Sequence, residues 1–168
     1  MRLQATQARA AYRGRDHPRT WPLPPPAPVG LTRSHSIHYN LTSTVGLAEW
    51  NASLPSGGAI VHLGPDHRPF TVSILHQLRC LDIIRASLVD LYADDAPDAT
   101  FGNAALAKHC MHYLRQMVLC RADTRLESVR APKGKGLTVW EVTHECLDWT
   151  AVFDAAEENW RLYMSTTS

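Results

Sequence analysis

From Phe70 to Tyr92 the apolar positions Val72, Leu75, Leu78, Ile83, Ile84, Leu88 and Leu91 recur at spacings of three, four and five, until "DDAP" closes the run. That period predicts an amphipathic helix. A second helix is predicted from about Gly102 to Arg121, with Asp98 or Thr100 as its cap. A third, from about Asp148 to Met164, carries Val152, Ala155, Ala156, Trp160 and Tyr163 as its inner stripe, and Asp148 supplies a capping acid. Two short runs alternate like strands: "AIVHL", between "PSGG" and "GPDHRP", and "LTVWEVT", after the glycine-rich turn "RAPKGKG". These two are expected to pair. The fold class is therefore mainly α with a small β element (α+β), its helices packed through two segments that carry histidine and cysteine.

Before these elements the pattern changes. "WPLPPPAPVG" removes backbone donors, and the segment up to Arg33 carries six arginines against one aspartate. Residues 1–33 are expected to be a disordered basic arm, and residues 34–168 a single domain. The overall formal charge is only +1, so the rest of the chain is net acidic. The arm's charges are scattered and not interleaved with aromatic side chains, so no nucleic-acid partner is expected. No apolar run of membrane-spanning length occurs, and no signal peptide is recognisable at the N-terminus.

Other residues point to an oxidising compartment. "NLT" at Asn40 and "NAS" at Asn51 are glycosylation acceptors, both expected in a loop before the first helix. The cysteines are even in number, Cys80, Cys110, Cys120 and Cys146, with no Cys-x-x-Cys pair for a zinc ribbon or thioredoxin-type site. Cys110 and Cys120 lie on one predicted helix, roughly 15 Å apart and beyond bridging distance. Two disulfide pairings remain, Cys80–Cys110 with Cys120–Cys146 or Cys80–Cys120 with Cys110–Cys146. Four reduced cysteines in a cytosolic core are the alternative.

Histidines supply the candidate chemistry. His76 shares a helix face with Cys80, and His109 shares one with His112. His76, His109, His112 and His144 stand on three segments, as ligands that converge on one ion do, and imidazole-rich ligation in an oxidising compartment suits copper, with iron or zinc behind it. A thiol hydrolase built on Cys80 and His76 has no third residue to orient the imidazole. There is no "GxSxG" elbow, and "GKG" at Gly134–Gly136 has neither the spacing nor the following helix of a phosphate loop.

"FTVSILHQLRCLDIIR", "KHCMHYLRQMVLCRADTRLE" and "HECLDWT", in that order between about Trp50 and Trp160, resemble the UstYa-like oxidases of fungal secondary metabolism. The resemblance implies a small copper-using oxidoreductase that tailors a peptide or other small natural product by cyclisation, hydroxylation, desaturation or halogenation in a secretory lumen. It also admits homo- or hetero-oligomers with related oxidases. The family pattern is two copies of His-x-x-His-Cys. Here Arg79 replaces the second histidine of the first copy and Leu106 the first histidine of the second, leaving His76 and His109 as the expected catalytic ligands.

An arginine cannot ligate a metal, so Arg79 is assigned to an anionic group of the substrate. His112, His144, His62 and His67 are further ligand candidates. Tyr113, and Arg121 with Asp123 as a helix-end ion pair, are expected to be structural. The alternative function is a non-catalytic partner subunit whose metal site has decayed.

Overall fold

The structure, a computed structural model, describes residues 10–33, 36–92, 104–129 and 142–167. In chain order the elements are β1 (Pro28–Arg33), α1 (Thr44–Ala52), β2 (Ile60–Leu63), β3 (Arg68–Thr71), α2 (Ser73–Tyr92), α3 (Ala104–Arg121), β4 (Val142–Leu147) and α4 (Thr150–Thr167). Helix dominates the described residues, and the strands form two two-stranded antiparallel sheets, β1 with β4 and β2 with β3. The mainly α, small-β architecture is as expected.

The core sits where the β2–β3 hairpin meets α2 and α4. Val61, Leu75 and Ala156 are fully buried there, with Trp21, Ala59, Leu63, Phe70, Val72 and Ile74 packed around them. Val61 lies on β2, Leu75 in the first turn of α2, and Ala156 on the inner stripe of α4. Asn159 of α4 locks the hairpin to that helix, because its amide nitrogen donates to the His62 carbonyl at 2.8 Å and its oxygen accepts from the His62 N–H at 2.7 Å. The α4 helix starts as predicted, with Asp148 accepting from the backbone N–H of Thr150 at 3.0 Å.

Three expectations are corrected. Among the described residues the two predicted strand runs do not pair with each other: β2 turns back within four residues to meet β3, whereas β4, which holds the end of the second run, pairs with β1 in the register Leu31↔His144. The turn Gly64–His67 that closes the first hairpin requires a glycine at its start, since Gly64 has φ +76° and a Cβ there would lie 2.6 Å from the Tyr12 Cβ.

Residues 10–33 are not a free arm. Tyr12 is buried, Arg68 donates to the carbonyls of Tyr12 and Gly14, Arg13 pairs with Asp66 at 2.6 Å, and Pro28–Arg33 forms a strand. The prolines stop the segment from forming its own structure, and it gains partners by lying across the domain instead.

The stretch before the first predicted helix holds α1, a short helix with little amphipathic pattern that is set by its cap. Ser43 accepts from the Gly46 N–H at 3.1 Å, and Asn40 Oδ1 accepts from the N–H groups of Thr42 and Ser43, each at 3.0 Å. Asn40 therefore lies exposed in the turn before α1, while Asn51 lies exposed on α1 itself rather than in a loop. The candidate caps Asp98 and Thr100, the "RAPKGKG" turn and the first five residues of "LTVWEVT", Trp140 among them, lie outside the described residues.

Candidate metal centre

α2 and α3 pack as an antiparallel pair, and three cross-helix contacts give the register: Ser73 with Tyr113, His76 with His109, and Cys80 with Cys110. The His76 and His109 rings lie 6.3 Å apart between centroids, at 26° to each other. That separation is within reach of one ion held roughly 2 Å from a nitrogen of each ring. His76 is half-buried and His109 exposed, so the pair is open to solvent on one side.

The surroundings hold His76 in place. Tyr113, one turn beyond His109, stacks on the His76 ring at 4.1 Å. The Tyr113 hydroxyl meets Ser73 Oγ at 3.3 Å, and Gln77 Nε2 donates to the same Ser73 oxygen at 3.0 Å. Behind the rings, Cys80 and Cys110 are both 1 % exposed, and Cys110 acts on the Cys80 thiol. Burial, with Cys110 as the second cause, pushes the Cys80 thiol up to about 12.

All four cysteines are unbridged in the structure. The expectation of two formed disulfides is therefore corrected. Cys110 acts on the buried Cys80 thiol, while Cys120 is exposed at the end of α3 and Cys146 half-buried on β4.

The other candidate ligands stand elsewhere. Among the described residues no three His, Cys, Asp or Glu side chains gather as a metal site, so His112 and His144 do not join His76 and His109. His112 is exposed on α3. His144 is engaged on β4, where Arg125 Nη1 donates to its Nδ1 at 2.5 Å and Glu127 lies 3.9 Å from its Nε2.

His62 stacks on Tyr163 at 3.6 Å with Trp160 beside it, and His67 meets the edge of the same Tyr163 ring at 5.7 Å. Burial lowers the His62 pKa, with the charge of His67 adding to the effect, and its Nδ1 is buried without a hydrogen bond. That favours the neutral ring of a packed histidine.

Arg79 on α2 and Leu106 on α3 lie three residues from His76 and His109 in opposite chain directions. The family pattern noted in the sequence would put histidines at these two positions, beside the retained His76 and His109. The Arg79 guanidinium donates to Asp82 at 3.3 Å, and Asp82 also holds the buried Arg85, which reaches the Leu41 carbonyl. Leu106 is exposed. The expected pair of Arg121 with Asp123 is replaced by an Asp123 cap on the Arg125 N–H at 2.9 Å. Ser73, Gln77 and Asn159 escaped the sequence reading because polar residues on helices have no period of their own. The Tyr113 role was signalled only by its i, i+4 spacing from His109.

Comparison with known proteins adds context to this geometry. The oxidase ustYa of Aspergillus flavus is 40 % identical over 94 residues, 55 % of this chain and 43 % of that protein. The UstYa family oxidase phomYb of Diaporthe leptostromiformis is 32 % identical over 122 residues, 72 % of this chain and 43 % of that protein. A second oxidase of that organism, phomYe, is 27 % identical over 99 residues, 56 % of this chain and 35 % of that protein. The chain thus spans less than half the length of these relatives. No solved structure matches. The sequence model described as mycotoxin biosynthesis protein UstYa matches residues 27–160, which takes in β1, the His76–His109 hairpin and most of α4, and the chain belongs to the UstYa family.

Proposed function

We propose that this chain is an oxidoreductase that uses a metal, copper before iron, to tailor a small natural product or peptide in fungal secondary metabolism. The observation that carries the proposal is the approach of His76 and His109 to 6.3 Å across two helices. Copper bound there would supply one-electron chemistry and oxygen activation. His76 and His109 would hold the ion, while Tyr113 fixes the plane of the His76 ring and Ser73 and Gln77 fix Tyr113. The open side of the pair leaves room for substrate or for a ligand from another subunit. Arg79, more than half exposed at its side chain, is free to leave Asp82 for an anionic group elsewhere on the substrate.

A lumenal setting accords with the exposed acceptors Asn40 and Asn51 and with the adjacent thiols of Cys80 and Cys110. Among the described residues no helix is long and apolar enough to cross a membrane. The second reading, a partner subunit of a related oxidase, is favoured by the lack of a third donor beside the pair among the described residues. Copper analysis of purified protein separates the two. Close to one ion per chain, lost in the His76→Ala/His109→Ala protein, supports the metal-bound oxidase, while copper content unchanged by the double substitution overturns it.

A further inference from the structure

The segment from Pro18 to Pro26 bridges two anchored regions, the Tyr12–His17 contacts on the β2–β3 hairpin and the β1 strand, and beneath it lies a cavity of about 530 Å³. That volume is in the range of small-molecule sites. Its walls are apolar, with Trp21 from the bridging segment, Phe70 from β3 and Val152 from α4. Arg19 and Arg121 also line it, and no Asp or Glu does among the described lining residues. Neither arginine has a carboxylate partner among the described residues, in contrast to Arg13, Arg79, Arg85 and Arg161. The cavity adjoins the metal centre through one residue: Ser73 lines it, and the Ser73 hydroxyl meets Tyr113, which stacks on His76.

We infer that this cavity is the substrate subsite and takes an apolar carboxylate, the apolar body against Trp21, Phe70 and Val152 and the carboxylate on Arg19 and Arg121. The chemistry carries the assignment. A cavity with largely apolar walls and two guanidinium groups that have no carboxylate partner among the described residues favours a ligand that is apolar at one end and anionic at the other. A purely apolar ligand would make no use of the two guanidinium groups, and a polyanion would leave the aromatic walls unused. The inference deepens the oxidase reading, on which it rests for its meaning, by locating substrate on the Ser73 and Tyr113 side of the histidine pair.

The test is calorimetric titration of the metal-free full chain with N-acetylphenylalanine and with its amide. A hexapeptide ending in phenylalanine, free or amidated, distinguishes a free small acid from a peptide terminus. The free acids should bind, and the amides about tenfold more weakly. Arg19→Gln and Arg121→Gln should each weaken the acids several-fold and leave the amides unchanged, whereas Trp21→Ala should weaken both. Both arginines are exposed, so the two glutamine variants should retain the wild-type fold by circular dichroism. The His76→Ala/His109→Ala protein should bind the acids like the wild type, so that failure of the metal centre and failure of the subsite are read separately. Equal affinity for acid and amide, arginine variants that bind like the wild type, or no binding at millimolar concentration would overturn the inference.

Discussion

Oxidation of the folded protein should close Cys80 onto Cys110 and no other pair. Both thiols are buried and Cys110 acts on Cys80, while Cys120 is exposed and Cys146 half-buried. The bridge would close a loop of about 31 residues, Cys80 to Cys110. Loop-entropy loss in the unfolded chain then predicts a gain of roughly 3.7 kcal/mol. Closure should be slow. With the Cys80 thiol pushed up to about 12, only on the order of one molecule in ten thousand carries its thiolate at pH 8.

The sign of the pH effect on the reduced protein follows from the same shift. The folded pKa lies above the ordinary thiol value, so this stabilisation is complete below about pH 9 and is lost as pH rises toward about 12. The assay is differential alkylation with peptide mapping after timed exposure to oxidised glutathione, paired with denaturant unfolding of reduced and oxidised protein. A Cys80–Cys120 or Cys110–Cys146 bridge, or oxidised protein no more stable than reduced, would refute the reasoning.

Three further outcomes are expected. Arg79→His combined with Leu106→His should raise bound copper above that of the wild type, while either change alone should do little, because the register places the two new imidazoles at one level; single changes as effective as the pair would refute the register, as read by metal analysis. Leu75→Ala should cost about 2–5 kcal/mol in denaturant unfolding, since Leu75 is 1 % exposed at the centre of the core, and a loss under about 1 kcal/mol would contradict that placement. His62 should titrate below the ordinary histidine range in nuclear magnetic resonance, and because its folded pKa is lowered, its stabilisation holds above about pH 6.5 and is lost as pH falls through the folded pKa; an ordinary titration would show that the ring is not buried against Tyr163.

The long helices were legible because each carries enough apolar turns to show its period. Val72, Leu75 and Leu78 mark α2, and Ala155, Ala156, Trp160 and Tyr163 mark α4. Partner choice among the strands was not legible. A four-residue strand carries no mark of its neighbour, and β1 hides among prolines that suggested a free arm. The α1 helix was missed because nine residues with mixed polarity leave its cap as the main signal.

At the site, His76 and His109 were identified from motif positions, and their approach could follow only from helix packing. Tyr113 stacking on His76, and the Ser73–Gln77 contact that orients it, depend on which faces of two helices meet. The spacing of His112 from His109 put it on a similar face in prospect, yet it does not join His76 and His109 in a group of three donors among the described residues. His144 was drawn away by Arg125, a residue in an irregular stretch that no pattern could place.

The central claim is that His76 and His109 share one metal ion. X-ray absorption at the copper edge of the copper-loaded wild type should give imidazole nitrogens at about 2 Å with no sulfur at about 2.3 Å, and the imidazole scattering should diminish in His76→Ala and again in His109→Ala. A sulfur shell, which would place the ion on Cys80 and Cys110, or an imidazole signal unchanged by both substitutions, would contradict it.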